Sequence, residues 1–170
     1  MKSLLNSRFI FFMIFLACAA SLGYAFYLEY VHHMEPCVLC WVQRALFAGA
    51  GIICFIGFIH NPQGVGRRIY AFLGLIFSIL GIVAAGRQIW LKFNPDNSGC
   101  LPTTIESIFE DNPFFGAILK AFEGTPECGL FQGDVLGIEL PYWGIMLFSA
   151  ITIVLIFQLV RSNPVRMIFN

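Results

Sequence analysis

Four apolar runs constrain this chain more than any other feature. Residues 9–28, 45–59, 69–85 and 142–160 contain no Asp, Glu, Lys or Arg. A helix rises about 1.5 Å per residue, so about twenty residues cross the roughly 30 Å hydrocarbon layer of a bilayer. The second run is short for that purpose. Adding the turn 41–44 extends it to 41–59 and puts Arg44 at the membrane interface. The third run continues towards Trp90, giving 69–90. The expected fold is an all-α membrane protein, a four-transmembrane-helix bundle forming one domain over residues 1–170. Its connections are a short loop, 29–40, and a long one, 91–141.

Composition supports lipid as the solvent. The chain is 58% hydrophobic and 12% charged, with mean hydropathy +0.79. Soluble domains carry about 25% charged residues. No basic patch of the kind that binds nucleic acid is present. The first run has a rival reading as a cleaved leader, with Lys2 and Arg8 before it and the small residues Ala17-Cys18-Ala19 inside it. Apolar sequence continues through Ala25-Phe26-Tyr27-Leu28, which favours a span.

Charge sets the expected orientation. Lys2, Arg8, Arg67, Arg68, Arg161 and Arg166 lie in the two tails and the 60–68 turn, and none of these segments has an acid. Loops rich in Lys and Arg stay in the cytoplasm, so both termini are expected there. The three tryptophans, Trp41, Trp90 and Trp143, fall at the opposite ends of their spans, where indole rings favour the interface.

That orientation sorts the six cysteines. Cys37, Cys40, Cys100 and Cys128 fall in the two non-cytoplasmic loops, where disulfides persist, whereas Cys18 and Cys54 lie within spans. In the long loop, Ile105, Ile108, Phe109, Phe115, Ile118, Leu119 and Phe122 recur at near-helical spacing. This fits helical pieces lying flat on the bilayer, or a small ectodomain packed on the helix ends.

Pro36-Cys37-Val38-Leu39-Cys40-Trp41-Val42-Gln43-Arg44 carries the chemistry. A three-residue spacing puts both sulfurs on one side of a helical turn. Cys-x-x-Cys contexts, helix N-termini and nearby cations all favour the reactive thiolate, and Cys40 has each of them available. A static disulfide closing so small a ring stabilises little, which favours a redox role over a structural one. No second Cys-x-x-Cys or paired His completes a zinc tetrahedron, and Trp41 stands where haem attachment needs His. Taken alone, Cys100 and Cys128 read as a loop staple; beside an active pair they read as a second dithiol that passes electrons onward. Four cysteines allow three pairings. With no nucleotide or haem motif, the expected acceptor is a lipid-soluble quinone among the ends of spans one, two and three. Arg44 is the expected stabiliser of its developing negative charge, and Arg87 a second candidate. Each arginine also has an interfacial snorkelling reading.

The sequence resembles the DsbB family over nearly its whole length. The resemblance is carried by Pro36-Cys37-Val38-Leu39-Cys40 with Arg44, by Gly86-Arg87-Gln88-Ile89-Trp90-Leu91, by Cys100 and Cys128, and by Leu136-Gly137-Ile138-Glu139-Leu140-Pro141-Tyr142-Trp143. It departs at Gly133, where many relatives have Trp. The resemblance implies a multi-pass protein of the bacterial inner membrane that reoxidises a periplasmic DsbA-like thiol oxidoreductase. It implies that electrons pass to a membrane quinone, ubiquinone or menaquinone. It also implies that Cys100 takes the mixed disulfide with the partner, that Cys128 is its mate, and that Cys40 of the Cys37–Cys40 pair faces the quinone beside Arg44. DsbA has a potential near −120 mV and stable structural disulfides lie below about −300 mV, a gap of about 8 kcal/mol for two electrons. Such a relay needs oxidising disulfides or an acceptor that draws electrons forward. Two alternatives are an epoxide-reducing quinone enzyme of the vitamin K epoxide reductase type, which carries the motif late in its chain, and a four-span adaptor or receptor with purely structural disulfides.

Overall fold

The structure, a computed structural model, describes residues 7–33, 36–94, 134–135 and 137–160. Four helices carry the fold: α1 (Ser7–His32), α2 (Val38–His60), α3 (Val65–Phe93) and α4 (Leu140–Val160). All four are long and apolar enough to cross a membrane. Each extends past the charge-free run that predicts it, because a helix ends where its backbone finds a cap and not where polarity changes. α1 is unbroken through Ala17-Cys18-Ala19. α2 stops at Asn61, whose left-handed backbone (φ 45°) lets its N–H reach the Gly57 carbonyl at 3.1 Å. Pro62 follows and cannot continue the helix.

Contacts at the helix ends define the arrangement. The Arg8 guanidinium lies 4.9 Å from the centre of the Phe58 ring, and Ser7 Oγ donates to Gln158 Oε1 at 3.4 Å. The start of α1 therefore meets the ends of α2 and α4. At the other end Glu29 pairs with Arg44, and Lys92 pairs with Glu139. Sequence neighbours are thus antiparallel. α1 packs on α2, α2 on α3 and α3 on α4, while α1 and α4 meet sparsely. The Cys-x-x-Cys pair stands at the end opposite Arg8, Arg67 and Arg68.

Small residues permit the close approaches. A Cβ at Gly74 would stand 3.1 Å from Leu155 of α4, and one at Gly51 would stand 3.1 Å from Cys18 of α1. Gly81 faces the Phe148 ring, which stacks on Phe47 at 3.9 Å between centres. Ser78 Oγ donates to the Phe148 carbonyl at 2.8 Å and lies 2.6 Å from Thr152 Oγ1. Without a hydrophobic drive between helices in lipid, such contacts and hydrogen bonds hold a bundle together. The outward faces are apolar: Ile52, Val83 and Ile153 are exposed. Only 17–39% of each apolar window is buried by the chain itself, so the rest needs hydrocarbon.

An antiparallel pair, β1 (Asp134–Val135) and β2 (Ile138–Glu139), leads into α4. The sequence reading treats this stretch as loop. Gly137 at φ 78° closes the turn, a conformation open to glycine, and two-residue strands are too short to leave a periodic signal. Cys100, Cys128, the helical pieces expected over 105–122, Gly133 and residues 1–6 and 161–170 lie outside the described residues.

Candidate redox site

Cys37 is the N-cap of α2. Its backbone is extended (φ −69°, ψ 168°), and its Sγ accepts from the Cys40 N–H at 3.4 Å. The first intrahelical bond runs from Trp41 N–H to the Cys37 carbonyl at 3.1 Å. Pro36 just before favours this entry, since it lacks an N–H to satisfy. The cap brings the two Sγ atoms to 2.9 Å and puts both at the positive end of the helix dipole. Cys37 is buried and Cys40 half-buried.

Two glutamines extend the site. Gln88 of α3, 2% exposed, directs its Nε2 at both sulfurs, 3.6 Å from Cys37 and 3.5 Å from Cys40. Its Oε1 accepts from Gln43 Nε2 at 2.7 Å, so the two buried amides lock each other's orientation. Gln43 in turn lies against Gly144 of α4, where a Cβ would come within 2.9 Å of Gln43 Oε1. In the sequence both glutamines stand only as members of longer stretches, 36–44 and 86–91. The available signal was an amide side chain within an apolar helix, three residues from Cys40 in one case and next to Arg87 in the other.

Arg44 lies one turn beyond Cys40. It donates to Glu29 of α1 through Nη1 and to the Ala25 carbonyl through Nη2 at 3.0 Å. Its guanidinium also lies 5.1 Å from the Phe26 ring centre and 5.3 Å from that of Trp41. The Arg44 and Glu29 side chains are 11% and 22% exposed, so salt screens the pair far less than a surface pair. Glu29 is a second contributor that the charge pattern alone did not reveal.

Cys40, Gln43, Arg44 and Gln88 share the wall of one cavity of about 420 Å³. The rest of that wall is mainly apolar, from Leu22, Ala25 and Leu28 of α1, Phe47 of α2, and Trp143 and Leu147 of α4. A second hollow lies further along the α1–α4 seam, between Ile10, Met13 and Ala17 on one side and Ile151 and Val154 on the other. The expected place for an acceptor is among the ends of spans one, two and three, and the cavity beside Cys40 has a different set of walls. That cavity is bounded by α1, α2 and α4, with Gln88 alone from α3. Arg87 does not line it; its guanidinium lies 4.4 Å from the Trp90 ring centre. Cys37, Cys40 and Arg44 are brought together, and Cys100 and Cys128 fall outside the described residues.

Comparison with known proteins gives this arrangement a context. The family profile described as Disulfide bond formation protein DsbB matches residues 7–158. A protein of Marinobacter nauticus named Disulfide bond formation protein B is 37% identical over 164 residues, covering 95% of this chain and 97% of that protein. One of Hahella chejuensis with the same name is 39% identical over 163 residues, covering 95% and 98%. Disulfide bond formation protein B 2 of Pseudomonas fluorescens is 32% identical over 162 residues, covering 94% and 88%. No solved structure matches the chain. Likeness at this identity along nearly the full length of several relatives goes far beyond a shared Cys-x-x-Cys, and the chain belongs to the DsbB family of disulfide bond formation proteins.

Proposed function

We propose that this protein makes disulfides for a DsbA-like thiol oxidoreductase outside the cytoplasmic membrane and hands the two electrons to a membrane quinone. Both termini are cytoplasmic in this reading, and the cysteine-bearing end of the bundle faces the periplasm. The Lys and Arg of the opposite end support that orientation. One observation carries the proposal: Cys40, Arg44 and a fixed pair of amides converge on a single apolar cavity at a helix end.

The electrons follow a balanced path. A thiolate of the partner's dithiol attacks the Cys100–Cys128 disulfide, and its second thiol resolves the mixed disulfide, leaving the partner oxidised and Cys100 and Cys128 reduced. These two thiols then reduce the Cys37–Cys40 disulfide in the same way and are themselves reoxidised. The Cys37–Cys40 dithiol regains its S–S bond by giving up two electrons and two protons. A bound quinone supplies the sink, taking up both electrons and both protons to become a hydroquinone.

The chain's own residues suit that acceptor. Ligand cavities of this kind measure about 300–1,000 Å³, are mainly apolar and carry few polar groups. Arg44 offers a fixed positive charge where negative charge develops, in surroundings that water screens poorly. Its bonds to Glu29 and the Ala25 carbonyl hold it in place beforehand. The hollows along the sparse α1–α4 seam suit an apolar chain arriving from the lipid side.

The test uses purified full-length protein with a reduced DsbA-like oxidoreductase and a short-tailed quinone. Quinone-dependent oxidation of the partner, lost in Cys40→Ser and in Cys100→Ser, is the expected result. Sulfurs that stay redox-silent with quinone present sink the proposal and favour a purely structural role.

A further inference from the structure

Gln43 and Gln88 are uncharged side chains at membrane depth, on different helices, with one amide aimed at both sulfurs of the pair. Burying two amides in an apolar bundle is costly unless each finds partners. Here the Gln88 Oε1 is satisfied by Gln43 Nε2 at 2.7 Å, which leaves Gln88 Nε2 facing Cys37 and Cys40 at 3.6 and 3.5 Å. The amide has a defined polarity as a result. With Gln43 holding its NH₂ towards α3, reversing Gln88 would set its oxygen against the sulfurs and its NH₂ against the Gln43 NH₂.

We propose that Gln88 is the hydrogen-bond donor that stabilises the reduced Cys37–Cys40 pair, and that Gln43 is a positioning residue that keeps the donor end of Gln88 turned towards the sulfurs. The inference rests on reading Cys37–Cys40 as a redox pair. N–H donors strengthen as charge builds on the acceptor, so they favour sulfur that has gained electrons over sulfur in a disulfide. The Cys40 N–H, which also reaches Cys37 Sγ, acts in the same sense. A pair held this way is a stronger oxidant, as a centre that must accept electrons from another dithiol requires. Gly144 belongs to the same device, because it leaves room for Gln43 to stand where it does.

The experiment equilibrates full-length protein with glutathione redox buffers in a Cys100→Ser/Cys128→Ser background. Peptide-resolved thiol labelling then reads the Cys37–Cys40 pair alone. Gln88→Met keeps the length of the side chain and removes the donor. Half-reduction is expected to need a roughly tenfold higher ratio of squared thiol to disulfide, which is about 30 mV for a two-electron couple. Gln88→Leu also removes the donor and is expected to shift the midpoint the same way. Gln43→Met, one bond further from the sulfurs, is expected to give a smaller shift of the same sign, and it carries the test if the Gln88 variants do not fold. A lowered melting temperature with an unmoved midpoint assigns the glutamines to packing and overturns the inference. So does a Gln88→Leu midpoint displaced in the opposite direction. A parent pair that never titrates removes the functional reading as well, whereas a titrating pair that ignores Gln88 removes only this inference.

Discussion

Cys18 and Cys54 make an instructive contrast with Cys37 and Cys40. All four lie on α1 or α2 or at its cap, and three of them are buried. Cys18 and Cys54 stand in mid-helix, 1% and 0% exposed, among apolar side chains and the close-packed Gly51 and Gly74. Neither sulfur has a hydrogen bond among the described residues. Around Cys37 and Cys40 the same element meets a helix N-terminus, a backbone N–H, an oriented amide and, one turn on, a guanidinium. The difference is one of surroundings. A thiol walled by hydrocarbon behaves as a small apolar filler, whereas one among donors and cations is prepared to carry charge.

The sharpest way to break the contrast is to exchange sulfur for oxygen on one side and remove it on the other. Cys40→Ser is expected to bring quinone-coupled turnover down to background. Cys18→Ala combined with Cys54→Ala should leave turnover within about twofold and cost roughly 1 kcal/mol per site in thermal unfolding. Loss of turnover in the double variant would show that mid-membrane sulfur takes part. Arg44→Met comes next. Removing one preorganised donor to developing charge costs about a hundredfold in rate, seen as slow quinone reduction with single-turnover partner oxidation intact. A smaller effect is expected from Gly144→Ala. The new methyl displaces Gln43, lowering turnover by roughly fivefold and stability by about 1 kcal/mol. The smallest belongs to Glu29→Gln, which keeps the size of the side chain and the Ala25 contact of Arg44 but removes the ion pair. Turnover should fall roughly threefold, with stopped-flow quinone absorbance as the measurement. An effect as large as that of Arg44→Met would make Glu29 a full partner in the chemistry.

Much of the plan was legible in advance because its causes are one-dimensional. A run free of charge and long enough to cross hydrocarbon has few other fates, so the four helices follow from hydropathy and length. The Cys37–Cys40 pair at the start of α2 follows from spacing, and so does Arg44 one turn beyond. The two-residue strands before α4 did not show, since they are too short for an alternating pattern. In the sequence Gln43 and Gln88 figure only as members of the 36–44 and 86–91 stretches. Their meaning lies in a 2.7 Å contact across 45 positions of chain.

Sequence alone, then, determined that the protein is a four-span bundle with a dithiol at the mouth of its second helix, because span length, charge bias and local spacing act along the chain. Only the tertiary structure decided which helices border the cavity, that Arg44 turns to Glu29 while Arg87 turns to Trp90, and that Gln88 points its donor at sulfur. Those outcomes depend on the rotation of each helix about its axis and on how closely its glycines let a neighbour approach. Both are settled when the four helices pack together, and neither is written in any one of them.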